Sequence, residues 1–346
     1  MTILLKLESN VQDNELKIIS NIFKPFVNEI ILNDYRVLME NIFRKYFEYY
    51  STSMNYMEGF HFFKQFINIG SQTIFYNHHG FFLFFSYQLK DYNYIQPLLN
   101  RKIFTTLFNT IDGSRDFSLF CFYKGLIHLS LREYTKAAFT FYQSLQNTVR
   151  ISLKLMDIFQ IYSLERLILL TFIIDKEVNQ IIDPLIRKFK ILDNPQLSVT
   201  QLLEMYFQGC NASEMFNSLK RANIEFVNLT GLFQVAIEED QFKQMQQILK
   251  SYKIIRVSKL RNYLNMEKNR ILKILEKKIN EGRINIKYDE VNEIIEVIDY
   301  NTNTIYNLSE LQKLYVEMVG ICEELSKYED CQQAWINAKI KLENTH

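Results

Sequence analysis

The chain has few of the residues that interrupt regular structure, since its 346 residues include only 9 Gly and 4 Pro. Glycine supplies positive-φ turns and phosphate-binding loops, and proline ends strands and helices. Their scarcity argues against an all-β fold and against a doubly wound sheet. The motifs GxGxxG and GxxxxGK[ST] are also absent, which removes the common nucleotide-binding loops.

An excess of charge of either sign is also missing, with 40 basic and 39 acidic side chains and a net charge near +1. Disordered chains combine low hydrophobicity with high net charge, whereas 48% of these residues are hydrophobic. Near neutrality argues against a chain whose main role is to coat nucleic acid or an acidic membrane. A chain of this length is expected to form two or three units, each with its own core.

Cysteine and histidine are scarce and scattered along the chain. The 4 cysteines and 5 histidines form no CxxC pair, no HExxH and no other metal-binding spacing, and the nucleophile motif GxSxG is absent. We therefore expect no catalytic residue, no cofactor and no metal, and thiols that stay reduced in the cytoplasm and nucleus. The alternative is an enzyme whose titratable groups converge only in the folded chain.

Apolar runs of the membrane-spanning type are lacking as well. The longest stretch without a formal charge runs from Gln65 to Leu89, and it contains His78, His79 and several amides. Burial of such polar groups in hydrocarbon is costly without partners, so we expect no membrane span. The FFLFF run within this stretch predicts a helix that is buried on most sides. The first residues do not resemble a signal peptide, so we do not expect secretion.

What the chain does have is helical periodicity. From about Val11 to Lys250, apolar residues recur at three- and four-residue spacing between short polar breaks, which predicts a mostly α fold. The clearest unit is the helical hairpin LFCFYKGLIHLSLREYTKAAFTFYQSLQN, which starts at Leu119. Gly125 marks a close approach of two helices, and Ala137 and Phe141 follow at the spacing of a tetratricopeptide-like (TPR-like) repeat.

A weaker copy of this hairpin lies 42 residues upstream. The segment LKDYNYIQPLLN (Leu89–Asn100) aligns with LREYTKAAFTFY (Leu131–Tyr142), so that Tyr92 matches Tyr134. Two hairpins of one design predict a helical solenoid. The alternative is a pair of unrelated amphipathic hairpins.

The pattern changes at Lys253. KIIRV predicts a short strand, SKLRNYLN and MEKNRILKILEKKINEG predict two helices, and RINIKY and EIIEVID predict two strands joined by a polar turn. Strand, helix, helix, strand, strand is the element order of a winged helix. The predicted organisation is N-terminal helices over residues 1–70, TPR-like repeats over 71–252, a winged helix over 253–299 and a C-terminal helix over 307–346.

The C-terminal segment predicts a long helix with an apolar seam of period near 3.5 residues. Such a seam suits a helix that bundles with the helices of other subunits, and the alternative is that it folds back on its own chain. The seam residues assigned to a subunit interface are Leu311, Leu314, Met318, Ile321, Leu325, Tyr328, Trp335 and Leu342.

The winged-helix segment also carries a local excess of positive charge, with 11 basic and 3 acidic residues from Lys253 to Lys287. Five of the basic side chains lie on its second helix and form a candidate nucleic-acid patch: Lys268, Arg270, Lys273, Lys277 and Lys278. The strands that follow are acidic, and the stretch lacks the Arg-rich and aromatic interleaving of a single-strand binder. We therefore favour a solvated or partner-facing helix over nucleic-acid binding.

A helical solenoid that runs into a winged helix and then a terminal helix resembles the PCI family. This family supplies scaffold subunits of the proteasome lid, the COP-9 signalosome and translation initiation factor three. The resemblance is carried by residues Leu232 to Val297, and most clearly by the closing pattern EKKINEGRINIKYDEVNEIIEV. Within the family, FCFYKGLIHLSLREYTKAAFTFYQSL is most similar to the central hairpin of a signalosome subunit.

The resemblance implies a non-catalytic scaffold that contacts other PCI and MPN subunits and is linked through them to cullin ubiquitin ligases. It also implies that winged-helix strands pair side by side between subunits. The strand positions that this assigns to a subunit interface are Ile284, Ile286, Ile294, Ile295 and Val297. The alternatives within the family are a PCI subunit of the proteasome lid or of translation initiation factor three, and a nucleic-acid-binding PCI protein.

Overall fold

The structure is a computed structural model that describes residues 36–67, 77–100, 111–151, 157–174, 176–189, 197–222 and 229–299. This part of the chain contains thirteen helices and three strands, so the prediction of a mostly α fold is confirmed. The chain divides into two compact units, Met1–Ile237 and Glu238–His346. None of the helices in the described ranges has the length and apolar character to cross a membrane.

The described part of the first unit consists of helices. They are α1 (Arg36–Thr52), α2 (Tyr56–Lys64), α3 (Asn77–Leu89), α4 (Gln96–Leu99), α5 (Ile111–Ser130), α6 (Tyr134–Ile151), α7 (Ile158–Leu170), α8 (Lys176–Lys188), α9 (Leu197–Phe207) and α10 (Ala212–Arg221). The next helix, α11 (Thr230–Ser251), begins in this unit.

Helices α1 to α3 enclose a core that is dominated by phenylalanine. The FFLFF segment lies in α3, where residues Asn77 to Leu83 are all buried, as the sequence predicts. Phe63 of α2 stacks on Phe85 of α3 with ring centroids 5.7 Å apart. A dense set of offset and edge-to-face ring pairs of this kind adds to the free energy gained from apolar burial.

The predicted hairpin is formed by α5 and α6. Gly125 of α5 faces the ring of Phe141 of α6, and Ala137 and Phe141 are fully buried. The turn between the helices places Arg132 at a φ of 59°, and the Glu133 N–H donates to His128 O at 2.9 Å. This six-residue hydrogen-bonded loop is a Schellman C-cap, which satisfies a carbonyl at the helix end.

The upstream segment ends its helix in the same way. Lys90 has a φ of 55°, and the Asp91 N–H donates to Ser86 O at 3.1 Å. Lys90 and Asp91 lie 42 positions before Arg132 and Glu133, which is the offset found in the sequence. The two aligned segments therefore share one C-cap geometry at matching positions.

The second unit contains the end of α11 and a small α/β arrangement. Its further elements are β1 (Ile254–Arg256), α12 (Val257–Leu264), α13 (Lys268–Asn280), β2 (Asn285–Asp289) and β3 (Ile294–Asp299). Their order is strand, helix, helix, strand, strand, which is the order that the sequence predicts. The three strands form an antiparallel sheet in the order β1-β3-β2.

The core of the second unit extends into α11. Phe242, Met245 and Leu249 of α11 pack in one cluster with residues of β1, α12, α13 and β3. The compact unit therefore extends beyond the predicted segment 253–299, because the helix before that segment supplies part of the same core. The unit begins at Glu238.

Candidate interaction surfaces

The sheet order decides which strand can join another chain. β3 lies between β1 and β2, and Ile295 of β3 is opposite both Ile255 of β1 and Tyr288 of β2. Both edges of β3 are paired within the unit, so its backbone has no free side for a further strand. In the described part of the chain, the outer edges of this sheet belong to β1 and β2.

The side chains predicted for the strand interface are mostly internal. Ile284, Ile295 and Val297 are buried in the core of the second unit, and Ile286 packs against that core. Ile294 is half-buried. β3 is therefore paired on both sides within its own sheet, and an outer edge is offered by β2. The assignment of these five residues to a subunit interface stays a prediction.

The backbone of β2 has a defined outward side. The Val297 N–H donates to Lys253 O at 2.9 Å, so Val297 points its backbone groups away from β2. Because alternate residues of a strand point their backbone groups to opposite sides, Glu296 faces β2, where it is opposite Lys287. Ile286 and Tyr288 consequently direct their N–H and C=O groups to the outer edge of the sheet, which no described strand pairs with.

One face of the sheet is exposed and partly apolar. Ile254 of β1 is 57% exposed and Ile298 of β3 is 59% exposed, whereas the alternate residues Ile255 and Ile295 are buried. Ile254 and Ile298 are not among the residues predicted for an interface. Period-two alternation in IIR and IIEVID was the available signal, but it does not show which of the two faces is buried.

The seam residues of the predicted C-terminal helix lie outside the described residues. They are Leu311, Leu314, Met318, Ile321, Leu325, Tyr328, Trp335 and Leu342. Their assignment to a subunit interface stays a prediction.

The basic side chains of α13 are largely engaged within the second unit. Lys268 forms an ion pair with Glu293, and Lys277 Nζ lies 2.5 Å from Glu238 Oε2. The hydrogen bonds to these carboxylates raise the pKa of both lysines. Arg270 Nε donates to Gln241 Oε1 at 3.1 Å.

Lys278 is the most enclosed of these cations, at 1% exposure. Its ammonium forms ion pairs with Glu239 and with Glu281, and the Glu281 Oε2 contact is 2.6 Å. Arg283 Nη1 also binds Glu239, at 2.6 Å. Burial alone would raise the pKa of Glu239, but Arg283 and Lys278 together lower it.

The candidate nucleic-acid patch on α13 therefore stays a prediction, although most of its cations are engaged within the second unit. Of its five residues, Lys268, Lys277 and Lys278 are paired with carboxylates and Arg270 with an amide. Lys273 is exposed and has no ion-pair partner among the described residues. The helix that looked most cationic in the sequence is largely neutralised by acidic residues of α11 and of the β2–β3 turn.

A second group of cations lies around β1 and α12, together with two tyrosines. The rings of Tyr252 and Tyr263 are stacked, with centroids 6.3 Å apart and an interplanar angle of 25°. Their hydroxyl oxygens are 3.1 Å apart, and Lys259 Nζ lies 4.5 Å from the centroid of the Tyr252 ring. The Tyr263 hydroxyl and Lys259 lower the pKa of Tyr252, and Tyr252 raises the pKa of Lys259.

Further exposed cations lie within four residues of one of these tyrosines in the sequence. Lys253, Arg256 and Arg261 are exposed, and none of them has an ion-pair partner in the described part of the chain. The sequence carries a signal for this group of cations, since from Gln241 to Met266 there are six basic residues and no acidic one. We name Tyr252, Lys253, Arg256, Lys259 and Tyr263 the tyrosine–lysine surface.

A cleft of about 230 Å³ lies in the first unit. The described residues that line it include Tyr87, Ser130, Tyr134 and Arg166, but no His, Cys, Asp or Glu. The Ser130 hydroxyl donates to Leu126 O at 3.0 Å, and Arg166 Nη1 donates to Tyr162 O at 3.0 Å. The cleft lining therefore offers no pair of a nucleophile and a general base.

His78 and His79 are both buried, with ring centroids 4.3 Å apart. The ring of His78 also lies 5.1 Å from the ring of Phe43, inside the aromatic core of the first unit. Within the described ranges, no group of three or more His, Cys, Asp or Glu residues is placed to hold a metal ion.

No protein-family model matches the chain, and no curated protein matches it.

Proposed function

We propose that the chain is a non-catalytic scaffold subunit of the COP-9 signalosome, present in cytoplasm and nucleus. In this role it supports the removal of a ubiquitin-like modifier from cullin ubiquitin ligases by the metalloprotease subunit. The observation that carries the proposal is the second unit: a strand, two helices and a two-stranded hairpin whose β2 edge is unpaired among the described residues, preceded by helical hairpins.

The second unit supports assignment as the winged helix of a PCI protein. The element order from Ile254 to Asp299 is that of a winged helix, and the turn Glu290–Glu293 between β2 and β3 takes the place of the wing. In this interpretation, α13 is the helix that a DNA-binding relative would place in a groove. Its internal ion pairs favour a structural role for α13 over DNA recognition.

The first unit supports assignment as a TPR-like solenoid. The close approach of Gly125 to Phe141 and the matched C-caps at Lys90 and Arg132 are what repeated helical hairpins require. Repeats of this type stack on their neighbours and form extended surfaces for protein partners. The Phe120–Leu145 hairpin is similar to the central hairpin of the third signalosome subunit. We therefore propose that the chain occupies the position of that subunit in the complex.

The proposed mechanism is assembly through two contacts. A strand edge offers unpaired N–H and C=O groups, so a neighbouring PCI subunit adds its own strand beside Ile286 and Tyr288 of β2. The seam from Leu311 to Leu342 then bundles with the terminal helices of other PCI and MPN subunits. Together these contacts hold the metalloprotease subunit in place without chemistry by this chain.

The first test compares the tagged full-length chain with a version that ends at Tyr306. Both are purified from their own cells, the eluates are analysed by mass spectrometry, and cullin demodification is assayed. We expect signalosome subunits and demodifying activity with the full-length chain and their loss with the shorter version. If proteasome-lid or initiation-factor subunits are found in the eluate, the PCI assignment would stand but the signalosome would be the wrong complex. Recovery of the chain as a lone monomer would overturn the scaffold role.

The second test examines the β2 edge by hydrogen exchange. The N–H groups of Ile286 and Tyr288 point to the outer edge, so they should exchange quickly in the isolated chain and slowly in the assembly. The N–H of Lys287 faces β3 and serves as the internal control, since it should be protected in both states. Equal exchange at the edge positions in both states would remove the edge from the proposed interface.

A further inference from the structure

Besides Lys273 of α13, exposed positive charge without an ion-pair partner among the described residues lies beside and on β1 and on α12. Lys268, Lys277 and Lys278 of α13 are paired with carboxylates. Lys253 and Arg256 are exposed without an ion-pair partner among the described residues. The strand register places one carboxylate beside β1, that of Glu296 opposite Ile254, so this surface keeps an excess of positive charge.

The aromatic part of the surface is already arranged for stacking. Tyr263 is 53% exposed, and its hydroxyl is held 3.1 Å from that of Tyr252 in a nearly parallel pair. Lys259 lies four residues before Tyr263 on α12 and over the ring of Tyr252. A planar group that stacks on the open side of Tyr263 would therefore have a cation within reach.

Cations beside an exposed aromatic ring match the chemistry of an unpaired nucleotide chain. Bases stack on aromatic rings irrespective of sequence, while phosphates bind lysine and arginine along the backbone. An acidic peptide would satisfy the cations but would leave the ring of Tyr263 without a planar partner. A duplex would hide its base faces, and the cations of α13 that could meet its backbone are paired internally.

We propose that the tyrosine–lysine surface binds single-stranded nucleic acid, with a base stacked on Tyr263 and phosphates on Lys253, Arg256 and Lys259. This site is separate from the β2 edge and from the C-terminal seam. Its failure would leave the scaffold proposal untouched, and failure of the scaffold proposal would leave this site untouched.

The test is fluorescence anisotropy of the full chain with a labelled, mixed-sequence single strand of about 15 nucleotides, the upper range of a single binding module. Three phosphate contacts on a single strand predict a log–log salt slope of about −2, or a loss of affinity of about 20-fold between 50 and 200 mM salt. Lys259→Glu should weaken binding at least about tenfold and make the slope shallower by about 0.7.

Matched variants separate stacking from charge. Tyr263→Leu should weaken binding about 5- to 50-fold. Tyr263→Phe keeps the aromatic ring, so its affinity for the single strand should be close to that of the unaltered protein. Lys273→Glu removes an exposed cation from α13 and should have little effect. Circular dichroism of each variant checks that it is folded.

Four results would overturn the proposal. They are absence of salt-dependent binding, equal affinity for a duplex of the same sequence, displacement by polyglutamate of equal charge, and an effect of Lys273→Glu as large as that of Lys259→Glu. If Tyr263→Leu binds the single strand as tightly as the unaltered protein, no base stacks on Tyr263, and the attraction is due to charge alone.

Discussion

Gly125 and Phe141 approach so closely that a Cβ atom on Gly125 would lie 2.4 Å from Phe141 Cε1. The ring cannot simply move aside, because Phe141 is fully buried. A glycine at this position therefore lets α5 and α6 contact each other along the hairpin. The same relation recurs between Gly59 of α2 and Phe85 of α3, where the distance would be 2.5 Å.

Gly125→Ala should destabilise the first unit. Overpacking of a filled core costs about 1–3 kcal/mol, and the added methyl group falls on a fully buried aromatic ring. The free energy of unfolding, measured by urea denaturation with circular dichroism, checks this expectation. Gly125→Ala combined with Phe141→Leu should recover part of the loss, because the smaller side chain makes room for the methyl group.

Gly231→Ala is the matched control. A Cβ atom on Gly231 in α11 would meet no atom within 4 Å. Alanine has the higher helix propensity, so this variant should be neutral or more stable by up to about 1 kcal/mol. If both glycine variants destabilise the chain equally, the close contact with Phe141 is not what requires glycine at position 125.

The first unit should lose stability in mild acid through His128. Burial lowers the pKa of His128 to about 4, and the hydrogen bond from its Nδ1 to Glu133 Oε2 at 2.6 Å opposes this shift without cancelling it. As the pH falls, the His128 imidazole binds a proton near pH 6.5 in the unfolded chain, and only at a lower pH in the folded chain. Stability is therefore complete above about pH 6.5 and falls as the pH drops towards about 4, by about 3 kcal/mol for the full shift.

Urea denaturation at a series of pH values would measure this slope, and His128→Asn provides the control. The variant should unfold with a shallower dependence on pH between about 6.5 and 4, whatever its stability at neutral pH. Glu133 contributes only at lower pH, since Lys136 and His128 outweigh the effect of burial and lower its pKa. If the pH dependence of the unfolding free energy is the same in His128→Asn as in the unaltered protein, another group causes the acid sensitivity.

Local patterns in the sequence were sufficient to predict the helices and strands, but not to predict which of these elements lie next to each other. The strands were predictable from β-branched alternation, and the α5–α6 hairpin from Gly125 and Phe141 at repeat spacing. Strand order was not, because nothing in RINIKY or EIIEVID says which of the two strands lies in the middle. The ion pairs of Lys277 and Lys278 join residues 39 positions apart, so a count of charges along α13 could not reveal that they are neutralised.

Cys121 should resist thiol reagents in the folded protein. It is fully buried in α5, and burial raises the pKa of its thiol, which reduces the fraction of reactive thiolate. Cys210 is half-buried and serves as the internal comparison. With iodoacetamide at about pH 8, peptide mass spectrometry should show at least about tenfold slower labelling of Cys121, and the difference should vanish in denaturant. Equal labelling of the two thiols in the folded protein would contradict the burial of Cys121.

Glu239 should be more important to the second unit than either cation that it binds. Its carboxylate joins Lys278 and Arg283, and both cations also lie within 5.5 Å of the centroid of the Phe242 ring. Glu239→Gln would leave the buried Lys278 ammonium with Glu281 as its remaining carboxylate. Breaking a buried ion pair on one side costs about 3–5 kcal/mol, so we expect a loss of about 3 kcal/mol in the free energy of unfolding.

Lys278→Met should cost less than Glu239→Gln, because Arg283 still neutralises Glu239 when the lysine is replaced. The double variant Glu239→Gln, Lys278→Met removes both buried charges and should be more stable than Glu239→Gln alone, since a methionine of similar length fills the lysine site without desolvating a cation. Urea denaturation of the three variants measures the coupling between the two positions. If the loss of unfolding free energy in the double variant equals the sum of the losses in the two single variants, the cause is altered packing between α13 and α11 and not the unpaired ammonium.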